Sequence, residues 1–252
     1  MAPVVVVRGS EVVYRRGDGA NADADVDVGA WGGQLDKPGG FLRWVDEASG
    51  GRGGAYTAAR VRSPPEIGAG EWGPGGGDEG EGGWLGRWVP FWGAHWRRLL
   101  SSLDLTLPQE ERTSLSGADT MAEASATAAA AAFSGAVSSS GENGGLLLKK
   151  CREGQAAVMM TLALTSERAA AGPGPAPPFV CHVHLCVVPL ALGPARLAVR
   201  TFQRTNPAAK AVGWARERLP LERALRQPFS EVLLVSRDGR VAEGMKTTFF
   251  VV

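Results

Sequence analysis

Lysine is scarce in this chain: it occurs only at Lys37, Lys149, Lys150, Lys210 and Lys246, so chemistry that needs a primary amine has few candidates. Cysteine is scarcer still. Cys151, Cys181 and Cys186 are odd in number and have no framework spacing, which argues against a disulfide scaffold and for free thiols in a reducing compartment. The expected setting is intracellular, either cytoplasmic or organellar (plastid or mitochondrion). Neither charge sign is in excess: the net charge is +1, and no basic surplus marks a nucleic-acid partner. Long hydrophobic runs are also missing. The opening MAPVVVVRGS is broken at Arg8, too early for a secretory segment or a membrane span, and Glu11, Asp18, Asp23 and Asp25 disfavour a transit peptide. What is present is a chain of 252 residues, 44% hydrophobic, long enough for one large domain or two modest ones.

Three stretches read as loops. Residues 66–83 are too rich in glycine to offset the entropy of ordering the backbone. Residues 116–145 hold an alanine-rich centre with Ser and Gly at its edges, and residues 170–178, AAGPGPAPP, read as an extended surface connection. The patterned segments lie between them. Residues 156–165 and 179–190 read as two strands joined by the Pro/Gly loop. RWVPFWGAHWRRLLSSLDL, residues 87–105, begins extended and continues as an amphipathic helix with Trp92, His95, Leu99 and Leu103 on one face. EVLLVS and RVAE read as a hairpin closed by Asp238-Gly239. The mixture predicts an α+β protein with a boundary near Pro189 to Pro194.

Two constellations could carry chemistry. In CHVHLC, His182 and His184 share one strand face and resemble a pair of metal ligands, whereas Cys181 and Cys186 have opposite parity. No further His or Cys cluster completes a four-ligand set, so the favoured reading is a strand with one polar face and no metal. Lys210, in RTNPAAKAVGWARERLPLE, on its own reads as an ordinary surface lysine, and as a nucleophile only where its proton is readily lost.

The order of residues from Lys210 onward decides between these readings. A helix around 212–226 follows the lysine, then the E-x-L-L strand Glu231-Val232-Leu233-Leu234, the turn Asp238-Gly239, and Glu243-Gly244-Met245-Lys246-Thr247-Thr248-Phe249-Phe250. This arrangement resembles the fold-type IV pyridoxal-phosphate enzymes, the class IV aminotransferase family of D-amino acid and branched-chain aminotransferases and aminodeoxychorismate lyase. Its final motif there is E-G-x-x-[ST]-N-x-F, and Thr248 stands in place of the asparagine. Two upstream segments are similar to the family as well: GGAYTAAR, residues 53–60, to G-[VA]-[YF]-x-[TS], and HWRRL, residues 95–99, to H-x-x-R-L.

The resemblance implies a two-domain α+β fold like that of D-amino acid aminotransferase. Residues 1–188 would form the smaller domain, expanded by the three loops, and residues 189–252 the first part of an incomplete pyridoxal 5'-phosphate domain. It implies transamination of an amino acid with a 2-oxo acid, with Lys210 holding the cofactor as a Schiff base and moving the proton. Glu243 would face the pyridine nitrogen and Arg98 the phosphate. Tyr56 would either hydrogen-bond near the reacting centre or serve as a core aromatic. An aminodeoxychorismate lyase-like enzyme and a catalytically inactive truncated relative are the alternatives. A complete chain would pair as a homodimer, with neither nucleic acid nor membrane as partner.

Overall fold

The computed structural model describes residues 4–8, 11–15, 38–51, 53–61, 89–109, 156–166, 179–190 and 194–247. The three predicted loops at 66–83, 116–145 and 170–178, together with Cys151, Thr248, Phe249 and Phe250, lie outside these residues.

The protein is α+β, built on two sheets. The larger is antiparallel, in the order β2-β1-β5-β4-β3. Its strands are β1 (Val4–Arg8), β2 (Glu11–Arg15), β3 (Gly54–Val61), β4 (Ala156–Ser166) and β5 (Phe179–Pro189). The expected pair at its centre is present, with Ala156 opposite Pro189 and Ser166 opposite Phe179. Nearly every β4 residue is buried, which explains why AAVMMTLALTS lacks apolar-polar alternation: a strand covered on both faces has no solvent side to mark.

Helix α1 (Pro38–Ala48) covers one face of this sheet and α2 (Trp92–Thr106) packs on β3. Phe41, Leu42, Trp44 and Val45 of α1 form a core with Tyr56, Ala163 and Cys186, and Val212 and Ala215 join it from the second half of the chain. Leu99 and Leu103 of α2 are completely buried, as their shared helical face requires. Burial of this kind stabilises by roughly 1.5–3 kcal/mol per large aliphatic side chain. His182 and His184 belong to the core under α1. The His184 ring stacks on Phe41 at 4.8 Å, the His182 ring meets Trp44 edge-on at 5.7 Å, and His182 Nε2 lies 3.0 Å from Thr165 Oγ1. Among the described residues no three His, Cys, Asp or Glu side chains gather as a metal site, and no helix is long and apolar enough to cross a membrane.

The smaller sheet runs β6 (Leu197–Thr201), β7 (Glu231–Val235) and β8 (Val241–Gly244), with β6 parallel and β8 antiparallel to β7. The β7–β8 hairpin turns at Gly239, whose φ of 82° suits a residue without Cβ. The helix expected around 212–226 is instead two short pieces, α3 (Trp214–Glu217) and α4 (Leu219–Ala224), interrupted at Arg218. Pro220 accounts for the break: it has no N–H, and its ring crowds the carbonyl one turn back. Trp214, Val232, Leu234 and Met245 make the core of this half.

The two sheets meet along the edge of β3. Tyr56 N–H donates to the Lys210 carbonyl at 2.8 Å and Val212 N–H donates to the Gly54 carbonyl at 3.0 Å, so the lysine segment pairs with β3 over one antiparallel step.

Candidate active site

Lys210 is held from three directions. Its carbonyl accepts from Tyr56 N–H, its own N–H donates to Ser102 Oγ of α2 at 3.0 Å, and the preceding Ala209 carbonyl accepts from Arg204 Nη2 at 2.8 Å. Ser102 is 1% exposed, so this contact is a buried tie from α2 to the backbone of the lysine. The side chain enters a cavity of about 860 Å³ at the junction of α1, α2, β3, β4 and α4. Tyr56, His95 and Arg98 line the same cavity, and the Lys210 Nζ lies 5.8 Å from the centre of the Tyr56 ring.

The electrostatics of this space ease the loss of the lysine's proton. Burial lowers the Lys210 pKa below its usual value of 10.5, and the positive charges of Arg98, Arg204 and Arg218 lower it further, against an opposing effect of Glu243. Burial likewise raises the Tyr56 phenol above its usual 10.0, with the nearby arginines opposing, so Tyr56 stays a protonated hydrogen-bond donor at neutral pH. His95 is lowered from 6.5, first by burial and then by Arg98 and Lys210. Its Nδ1 lies 2.8 Å from Thr57 Oγ1, which fixes the ring against β3.

Three of the four residues expected at the site therefore line one cavity: Lys210, Tyr56 and Arg98. Glu243 stands apart. Its carboxylate accepts from Arg204 Nη1 at 2.8 and 3.1 Å and faces a neighbouring hollow of about 420 Å³ lined by Phe202, Pro207 and Leu234. It still acts on Lys210 through its charge.

Arg204 shapes the site yet gave no signal in the sequence. Arg204 is 9% exposed, stacks over Trp214 at 4.5 Å, and links Glu243 to the backbone just before Lys210. Its position six residues before the lysine has no meaning until the loop between them is closed. Glu231, the first residue of E-x-L-L, ties β7 to the end of β8. One of its carboxylate oxygens accepts from Val232 N–H at 2.7 Å and the other from Lys246 N–H at 3.2 Å.

No family profile and no curated protein sequence matches the chain. Solved structures do align with it. A hypothetical aminotransferase from Mycobacterium tuberculosis in its apo form is 16% identical over 97% of this chain and 65% of its own, with a TM-score of 0.41. The PLP-bound form of that protein is 17% identical over 96% of this chain and 66% of its own, with a TM-score of 0.40. A branched-chain aminotransferase from Thermoproteus uzoniensis, solved with norvaline, is 13% identical over 96% of this chain and 63% of its own, with a TM-score of 0.39. The chain thus spans under two thirds of the length of these proteins, and the overlap is too loose to assign it to a family.

Proposed function

We propose that the chain belongs to a pyridoxal-phosphate-dependent aminotransferase of class IV type, in which Lys210 is the residue that holds the cofactor. The observation that carries this reading is the Lys210 amine itself. It lines one cavity with Tyr56 and Arg98, burial lowers its pKa, and it stands at the head of the E-x-L-L, D-G and E-G sequence order. The cavity's size is that of ordinary cofactor sites, about 300–1,000 Å³.

The residues present suit the cofactor. Arg98 offers a planar fork of donors to the phosphate and Lys210 an amine for the aldehyde, while the Glu243 carboxylate is paired with Arg204 and faces the neighbouring hollow. The cofactor when bound supplies an electron sink that stabilises negative charge at the substrate's Cα. The chain's own contribution is proton handling and orientation. Lys210, whose proton is released more readily because of burial and its arginine neighbours, can give up a proton at Nζ and take one back from an adjacent atom. Tyr56 remains a donor beside it. Ser102, the Ala209 carbonyl and the β3 edge fix the lysine backbone, so the amine swings from an anchored Cα.

To the same proposal belong a domain division at 1–188 and 189–252, an amino acid and a 2-oxo acid as substrates, a homodimeric assembly and an intracellular setting. Incubation with pyridoxal 5'-phosphate, borohydride reduction and peptide mapping test the reading. The expected result is a pyridoxyl group on Lys210 that is absent from Lys210→Ala. Labelling spread equally over Lys210 and the exposed Lys246 would refute it.

A further inference from the structure

The loop that leads from β6 to Lys210 is closed by one side chain, that of Arg204. Its Nη2 donates to the Ala209 carbonyl at 2.8 Å, so the side chain reaches across its own loop to the peptide just before the lysine. Its Nη1 donates to both oxygens of Glu243 on β8, at 2.8 and 3.1 Å, and its Cζ lies 4.5 Å from the centre of the Trp214 ring. One guanidinium thus joins the lysine loop to the β7–β8 hairpin and to α3. The Arg204 side chain is 7% exposed, and its Nε has no hydrogen-bond partner among the described residues. A cation so removed from water is held only where its other donors meet good acceptors, and Glu243 and Ala209 supply them.

The rest of the loop is pinned to α2. Asn206 Nδ2 donates to the Leu105 carbonyl at 3.2 Å, and Lys210 N–H donates to Ser102 Oγ at 3.0 Å. Arg204 ties the same loop to the small sheet, because Glu243 lies opposite Leu234 in the β7–β8 pairing. Glu243 therefore has an occupation that needs no cofactor. Its two oxygens fix the plane of the guanidinium that holds Ala209.

We propose that Arg204 is a positioning residue for the Lys210 amine, aimed by Glu243, and that on the pyridoxal-phosphate reading above the pair sets how readily the lysine meets the cofactor's aldehyde. Arg204 acts on the amine through the Ala209 peptide and through its charge. Burial and Arg98 come first in lowering the Lys210 pKa; the Arg204 charge lowers it further, and the Glu243 charge opposes. The other charged or titratable groups around the cavity are Tyr56 of β3, His95 and Arg98 of α2, Arg43 of α1, Arg218 between α3 and α4, Glu222 of α4, and Lys246 beyond β8. All of these stay in place in the variants below.

The test is acylation of Lys210 by an uncharged active ester in the full chain without cofactor, followed across pH by mass spectrometry of the Lys210 peptide. Arg204→Gln removes a positive charge and should move the midpoint up, whereas Glu243→Gln removes the opposing negative charge and should move it down. A loosened fold exposes the amine and drives every midpoint up toward that of free lysine, so the downward shift is one that a merely structural role does not produce. Arg204→Lys keeps the charge but has no planar fork to serve Glu243 and Ala209 together. Its midpoint should change little, while attachment of pyridoxal phosphate, trapped by borohydride, should slow roughly tenfold, the value of one charge-assisted hydrogen bond. Glu243 is 36% exposed, so its variant reports even where loss of buried Arg204 prevents folding. An unmoved or upward midpoint in Glu243→Gln, or attachment in Arg204→Lys as fast as in the unchanged chain, overturns the proposal. Failure of the unchanged chain to take the cofactor at Lys210 refutes the aminotransferase reading instead, and the acylation midpoints still decide the role of Arg204.

Discussion

At the scale of single residues, Lys210 is governed by its surroundings more than by its own chemistry. Burial is the main cause of its lowered pKa and Arg98 the next. Acylation of Lys210 by an uncharged active ester, whose alcohol leaves as the amide forms, should therefore rise with pH through a midpoint below that of a free lysine. Removing the Arg98 charge relieves repulsion on the ammonium form, so Arg98→Gln should move that midpoint upward, measured by mass spectrometry of the Lys210 peptide across pH. The same scale shows what the sequence could convey. Lys210, Tyr56 and Arg98 were legible because each sits in a short motif with its own spacing. Arg204, Arg218 and Glu222 were not, because their meaning lies in one another: an arginine in RTNPAAK or an acidic residue in LPLERA looks like any solvated charge until the chain brings partners within 3 Å.

At the scale of elements, β3 is the hinge of the site's construction. It is entered through Gly53 at φ 95° and begins at Gly54 with φ 153°, and a Cβ on Gly54 would lie 2.6 Å from the Leu164 carbonyl oxygen of β4. The Gly54 carbonyl also accepts from Val212 N–H, just past the lysine. Gly54→Ala should destabilise the protein by about 2–4 kcal/mol, from backbone strain and overpacking together, as read by denaturant melts. The variant should also weaken cofactor attachment, because the same glycine seats the Lys210 segment. Legibility differed by element for physical reasons. The β4–β5 pair was readable as two apolar runs joined by a Pro/Gly loop, α2 from its helical spacing and the β7–β8 hairpin from its turn chemistry. Helix α1 was not, since PGGFLRWVDEA opens with residues that signal a turn and gains its helix from burying Phe41, Leu42, Trp44 and Val45. The helix after Lys210 was overdrawn because apolar spacing continues through Pro220 while hydrogen bonding does not.

At the scale of the whole molecule, the two sheets share one seam. It consists of the Ala55–Ala211 pairing, the Ser102 tie to Lys210 and the Arg216–Asp46 ion pair at 2.9 Å between α3 and α1. A ligand attached to Lys210 loads both sheets at once, so hydrogen exchange at the Tyr56 and Val212 amides should slow together when pyridoxal phosphate is added, and neither should slow in Lys210→Ala. At a cofactor concentration a hundred times its dissociation constant, the shared gain is about 2.7 kcal/mol. The α+β class was apparent from the mixture of patterns, but the seam was not, because pairing between residues 55 and 211 leaves no periodic trace in either segment. The parallel partnership of β6 with β7 has one more consequence. Parallel neighbours cannot be joined by a tight turn, and here residues 202–230, Lys210 among them, form the crossover. During synthesis β6 emerges long before its partner, and the lysine loop stays unclosed until β7 follows. The order of translation thus leaves β6 without its partner until the whole crossover that carries Lys210 has been made.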